Sequence, residues 1–170
     1  MKKMTHLKLA AAAWVAGLTA LACFPATAWA TGNIDTNNNF AWSENAGWIN
    51  FAPTNGGVTV ATAGLSGYAW AENIGWIQLA AVGSTYGNST KDDWGVKLVG
   101  STLRGFAWSE NAGWINFSPT NNQVTINRSD GQFNGYAWGE NIGWIHFQNA
   151  NPAYGVRTTA SLGGTLIRFL

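Results

Sequence analysis

The chain is poor in the residues from which most catalytic and metal centres are made. It holds one cysteine, Cys23, and two histidines, and only 10% of its 170 residues are charged. Cys23 lies within the first thirty residues, which have the make-up of a signal peptide. The exported chain expected after cleavage therefore has no disulfide, no thiolate nucleophile and no cysteine-ligated metal. Cleavage also removes Lys2, Lys3 and Lys8, leaving six basic residues against eight acidic ones. Such a balance excludes a polybasic footprint for nucleic acid or for a membrane surface. His146 becomes the sole histidine, no Ser-His-Asp arrangement can be assembled, and no glycine loop has phosphate-cradling form. Asp92-Asp93 reads as a solvated pair in a polar loop. Neither an enzyme nor a cofactor is expected.

Long apolar runs are also scarce. Leu9 to Ala22 is apolar, follows a lysine-rich start, and is broken by Pro25 before Ala28-Trp29-Ala30. That order of charge, apolar run and A-x-A site describes a cleaved secretory leader over 1–30. The run is too short for a bilayer span, and nothing after it is long enough. Export to the periplasm, cell surface or extracellular space follows, with no membrane span after cleavage. Residues 31–170 suffice for one hydrophobic core and are few for two.

Tryptophan and glycine are abundant, and both are organised by a repeat. The sentence F-A-W-S-E-N-A-G-W-I-N-F occupies 40–51 and returns at 106–117, while Y-A-W-A-E-N-I-G-W-I-Q-L occupies 68–79 and Y-A-W-G-E-N-I-G-W-I-H-F occupies 136–147. Of the 11 tryptophans, eight lie in these copies. Starts are spaced by 28, 38 and 30 residues, and odd and even copies differ consistently, an A-B-A-B duplication. The longest gap carries a polar insertion, Gly83–Asp93, expected as a surface loop.

Each copy is expected to be a β-hairpin, with aromatic and β-branched arms around Glu-Asn-x-Gly turn chemistry. A four-residue loop pairs Ser43 with Trp48 and Trp42 with Ile49. It places Phe40, Trp42, Ile49 and Phe51 on a core face, and Ala41, Ser43, Trp48 and Asn50 on the other. A five-residue loop would instead oppose Trp42 and Trp48. The four-residue register is adopted because it segregates apolar from polar positions. Trp42, Trp70, Trp108 and Trp138 are then core residues. The opposite face offers Trp48 with Asn50, Trp76 with Gln78, Trp114 with Asn116, and Trp144 with His146: a ring over small neighbours beside a polar group, as in sugar stacking.

The motif glutamates Glu44, Glu72, Glu110 and Glu140 are half of the acidic residues outside the leader. They read as turn residues accepting N–H bonds in their own loops, with the next Asn capping. A Ca²⁺ site or a glycosidase carboxylate pair is the alternative.

Strands at Val58–Ala61, Gly95–Val99, Val124–Asn127 and Gly155–Thr158 lead through turns to lead-in strands at 65–67, 103–105 and 133–135. Trp94 and Tyr154, each before Gly-Val, are expected in equivalent slots. The first copy lacks a clear lead-in, having polar Thr36–Asn39 there. Residues 164–170 resemble a lead-in with no hairpin after it. This strand would close the first repeat, or be donated to the next molecule in self-association. The fold expected is all-β: four hairpin repeats of about three strands, forming one closed or sandwich-like antiparallel domain.

The tandem G-[FY]-A-W-x-E-N-x-G-W-I motif, covering 40–147, resembles that of exported bacterial tandem-repeat proteins. The resemblance implies export and carries no activity to these positions. The function expected is a lectin-like, non-enzymatic module binding polysaccharide or cell-surface glycan. The alternative is a structural cell-surface or matrix protein assembling by head-to-tail strand exchange.

Overall fold

The computed structural model describes residues 32–163, so the leader expected at 1–30 and the closing strand expected at 164–170 lie outside the described residues. No helix occurs among them. The first half of the chain forms β1 (Ile34–Ser43), β2 (Gly47–Asn50), β3 (Gly57–Val60), β4 (Leu65–Ala71), β5 (Gly75–Gln78) and β6 (Val96–Val99). The second half forms β7 (Thr102–Ser109), β8 (Gly113–Asn116), β9 (Thr125–Ile126) and β10 (Phe133–Asn134). It ends with β11 (Tyr136–Gly139), β12 (Gly143–His146), β13 (Gln148–Ala150) and β14 (Ala153–Thr158). The four motif copies are the hairpins β1–β2, β4–β5, β7–β8 and β11–β12.

Neighbouring hairpins join edge to edge. β2 pairs with β4, β5 with β7, β8 with β11, and β12 returns to β1, so the eight arms close into an antiparallel barrel. A second set of ladders extends it below. β3 pairs with the start of β4, β6 with the start of β7, and β9 with β10. The last of the set, β14, pairs with the start of β1. The strand after each copy thus supports the lead-in of the next, and the strand after the fourth supports the first.

The first copy therefore does have a lead-in. Polar Thr36–Asn39, where no clear lead-in is expected, belongs to the ten-residue β1, with an irregularity in its ladder to β14 between Ile34 and Asn39. Closure runs through β12 and β14, both on β1, within one chain. Arg157 donates to Asp35 across the β14–β1 seam, with Nε at 3.0 Å. Asn33 lends its side chain to β3, donating to the Val60 carbonyl at 2.8 Å and accepting from the Val60 N–H at 2.7 Å.

The hairpin register differs from the expected one. Trp42 faces Trp48, Ala41 faces Ile49, Phe40 faces Asn50 and Ser43 faces Gly47, with the same pattern in every copy. The loop proper is Glu44-Asn45-Ala46. Gly47, at φ 71°, is already the first residue of the returning strand, the left-handed position that follows a short loop. Counting that glycine into the loop shifts the pairing by one residue, and a shift of one exchanges the faces of an arm.

The core consequently contains the opposite set of residues on the first arm. Ala41, Ser43, Ile49 and Phe51 point inward, with their counterparts in the other copies, and all four are buried. Phe40 and Trp42, expected in the core, point out, as do Trp70, Trp108 and Trp138. Barrel size decides this. An eight-stranded barrel is just wide enough for its interior to be filled by side chains. Its four-residue arms offer Ala, Ser, Gly and Ile to the axis, and eight indole rings could not fit there.

The odd–even alternation has the same origin. At the turn end, Ile74 and Ile142 fold in beside Ala46 and Ala112, and all are buried. Gly139 carries no side chain because a Cβ there would lie 2.6 Å from Ile142 Cγ1. At the other end a cluster of Phe51, Phe117, Phe133 and Phe147 fills the wider space between the lower ladders. Phe133 and Phe147 stack at 5.9 Å, and Phe51 meets Phe147 at 5.5 Å. The glycine preceding each of the last three copies marks the bend between the two levels. A Cβ on Gly67 would lie 2.1 Å from the Gly57 carbonyl oxygen, and φ there is 87°.

Candidate functional site

Outward-facing positions repeat around the barrel and form a belt of aromatic rings. Within each hairpin the two tryptophans meet edge to face across the strands. The centroid distances are 4.8 Å for Trp42–Trp48, Trp70–Trp76 and Trp108–Trp114, and 4.9 Å for Trp138–Trp144. Each second tryptophan also meets the Phe or Tyr that opens its motif, as Trp48 does with Phe40 at 6.1 Å. A pair of this kind adds about 0.5–1.5 kcal/mol beyond its buried area. Trp94 and Tyr154 occupy equivalent slots as expected: Trp94 packs on Trp114 at 5.2 Å, and Tyr154 on Trp48 at 5.1 Å.

The belt is far from covered. Trp48, Trp76, Trp114 and Trp144 keep 44, 42, 46 and 43% of their surface exposed, and Trp70 and Trp138 keep 37%. Soluble domains rarely leave contiguous apolar surface of this kind without a use for it. The expected arrangement of these rings over Ala and Ser is corrected by the register, since those small residues are inside. Their neighbours are other rings.

Between hairpins the belt opens into four related grooves. The one between the first and second copies is lined by Trp42, Trp48, Asn50, Trp70 and Glu72, with Tyr154 at its side. Trp76, Gln78, Trp108 and Glu110 line the second-to-third groove. The third-to-fourth groove has Trp94, Phe106, Trp114 and Glu140, with Lys91 from the inserted loop. Trp138, Trp144, His146, Trp42 and Glu44 line the fourth-to-first. Their volumes are about 730, 380, 550 and 690 Å³ in that order, which is the size range of small-molecule sites. Each groove thus takes its second tryptophan from one copy and its glutamate from the next.

The expected polar partners divide. Asn50, Gln78 and His146 lie in the same grooves as Trp48, Trp76 and Trp144, whereas Asn116 is not among the residues lining the groove of Trp114. Much of their hydrogen-bonding capacity serves the chain as it leaves the barrel. Asn50 Oδ1 accepts the Ala52 N–H and the Asn39 amide, both at 2.8 Å, and Asn116 Oδ1 accepts the Ser118 N–H at 2.9 Å. Gln78 Nε2 donates to the Ala80 carbonyl at 2.8 Å. His146 stacks on Tyr136 at 4.3 Å and shares a 2.9 Å hydrogen bond between Nδ1 and the Tyr154 hydroxyl. Burial pushes its pKa below the ordinary 6.5.

The turns hold a further correction. The glutamates are exposed and accept no hydrogen bond from their own loops among the described residues. Loop closure is handled by other side chains. Ser43 Oγ accepts the Ala46 N–H at 3.3 Å and donates to the Ile142 carbonyl at 3.1 Å, and Ser109 does the same with Ala112 and Ile74. Three of the four motif asparagines reach the neighbouring turn and do not cap their own. Asn45 Nδ2 donates to the Ile142 carbonyl, Asn111 to that of Ile74 and Asn141 to that of Ala112, at 3.1–3.2 Å. The glutamates stand one to a turn, and no three His, Cys, Asp or Glu side chains gather as a metal site among the described residues. Asp92 pairs with Lys91 in the exposed loop.

The groove residues that the sequence places in the core are Trp42, Trp70, Trp108 and Trp138, and the glutamates, offered by the sequence as turn residues or a Ca²⁺ site, line the grooves beside the rings. The signal for the tryptophans was available in the alternative register, which opposes Trp42 and Trp48. Comparison with known protein families, curated proteins and solved structures finds no match for this chain. Among the described residues no helix is long and apolar enough to cross a membrane.

Proposed function

We propose that this is an exported, non-enzymatic, lectin-like module whose four tryptophan-walled grooves take successive units of a polymeric glycan. The observation that carries this reading is the fourfold recurrence of half-exposed ring pairs facing open grooves on a closed, rigid barrel. Sugar rings present C–H faces that lie against indole, and weak sites held in fixed geometry gain avidity on a polymer. The alternative, a structural protein assembling by strand exchange, is disfavoured by the occupancy of β1. That strand already pairs with β2, β12 and β14 of its own chain.

The test is tryptophan fluorescence titrated with a panel of soluble glycans, on the wild type and on Trp76→Ala/Trp144→Ala. These two rings touch fewer aromatic neighbours than Trp48 and Trp114, so their loss disturbs packing less. A glycan-induced shift reduced in the variant, with its thermal unfolding still cooperative, is the expected result. A wild type that ignores the whole panel sinks the reading.

A further inference from the structure

Building on the glycan-binding reading, we infer that the grooves select sugars carrying a protonated amine, such as the units of a polyglucosamine chain. The inference starts from a residue that the fold does not require. In the turn, Gly47 and its counterparts supply the positive φ, serine or a small residue faces inward, and in three copies the asparagine bonds to the neighbouring turn. The glutamate does none of this. Its side chain joins no hydrogen bond or ion pair among the described residues, since the ion pairs found there are Lys91–Asp92 and Arg157–Asp35. A turn position that needs only a polar residue nevertheless carries glutamate in all four copies.

Placement gives that carboxylate a role. Glu72, Glu110 and Glu44 each line a groove whose other walls include tryptophans of the preceding and the same copy, and Glu140 lines one walled by Trp94, Phe106 and Trp114. A cation over an indole face gains about 0.5–1 kcal/mol where exposed and about 2 when desolvated. A nearby carboxylate adds charge pairing that a neutral sugar cannot use. No lysine or arginine lines the first-to-second, second-to-third or fourth-to-first groove; Lys91 lines only the third-to-fourth, and the imidazole of His146 lines the fourth-to-first. Two grooves are therefore negative and aromatic with no base in their lining, the fourth-to-first adds His146 to its glutamate, and the third-to-fourth is partly neutralised by Lys91. The matching ligand stacks a ring on tryptophan and points an ammonium at glutamate. Four such sites around one barrel suit a chain of repeating units better than an isolated cation.

The experiment uses glucosamine tetramer and its fully N-acetylated counterpart, which differ in charge and share the same backbone. Binding is read by tryptophan fluorescence and by calorimetry at low and at high salt, on the wild type and on Glu44→Gln/Glu72→Gln/Glu110→Gln/Glu140→Gln. The expected result is about tenfold tighter binding of the free amine at low salt, a preference lost in high salt and in the variant. Should the variant not fold, the salt dependence of the wild type decides. Equal affinity for the two tetramers, or a preference indifferent to salt and to the glutamates, overturns the charge selection while leaving glycan stacking in place. Binding of neither tetramer, nor of any other glycan, removes both.

Discussion

Trp42 lies opposite His146 across the seam where the last hairpin meets the first. The relationship recurs at every seam: Trp70 faces Asn50, Trp108 faces Gln78 and Trp138 faces Asn116. Only at the closing seam is the polar partner titratable. Burial holds His146 below its ordinary pKa of 6.5, so as pH falls through 6.5 the unfolded chain takes up the proton first and stability declines. His146→Asn, which installs the residue used in two other copies, should flatten that decline between pH 7.5 and 5. Denaturant midpoints of both proteins at the two pH values provide the check.

A second pH effect should appear at lower pH. Hydrogen bonding from Arg157, with smaller help from the Asn37 N–H and the Asn38 amide, holds Asp35 at about 2 against an ordinary 3.8. Its stabilisation is fully present above about pH 4 and is lost as pH falls from there toward 2. Arg157→Gln should remove most of this acid dependence, because it deletes the partner across the β14–β1 seam. Acid unfolding followed by circular dichroism measures it.

Volume limits inside the barrel give a third expectation. Ala107 is fully buried opposite Ile115, so Ala107→Leu should overpack the interior by about 1–3 kcal/mol. Ile115→Ala leaves a cavity at the same level and should cost about 2–5 kcal/mol. A site open to solvent would tolerate the first change without loss. Urea denaturation of both variants distinguishes the cases.

Backbone geometry supplies a fourth. Gly67→Ala sets a methyl 2.1 Å from the Gly57 carbonyl at φ 87°, whereas Gly83→Ala at φ 72° meets nothing within 4 Å. The second substitution should cost about 1–2 kcal/mol of conformational strain. The first should cost clearly more, because β3 and β4 must also part. Thermal melts compare them directly.

Much of the fold can be read from the repeat. The all-β class, the hairpins, the A-B-A-B order, the inserted loop and the shared role of Trp94 and Tyr154 follow from spacing and turn chemistry. The hairpin register does not, because Gly47 serves both as a turn residue and as the first rung of a strand. The one-residue shift inverted the reading of Trp42 and Ala41. Hydrophobicity favours tryptophan for the interior, but the small radius of an eight-stranded barrel selects alanine. Trp48, Trp76, Trp114 and Trp144 face outward in either register. Their partners across the grooves belong to the adjacent hairpin, and sequence spacing contains no record of which edges meet.

The pairing of β14 with β1 makes the domain a circle that happens to have been cut. Thr159 N–H donates to the Asn33 carbonyl at 2.8 Å, so the two ends of the described domain touch. Every repeat stands in the same relation to its successor, the last to the first included, and the point of cutting holds no structural privilege. A gene that joined these ends and opened the loop around Val82, which is 91% exposed, would encode the same barrel with its copies read in rotated order.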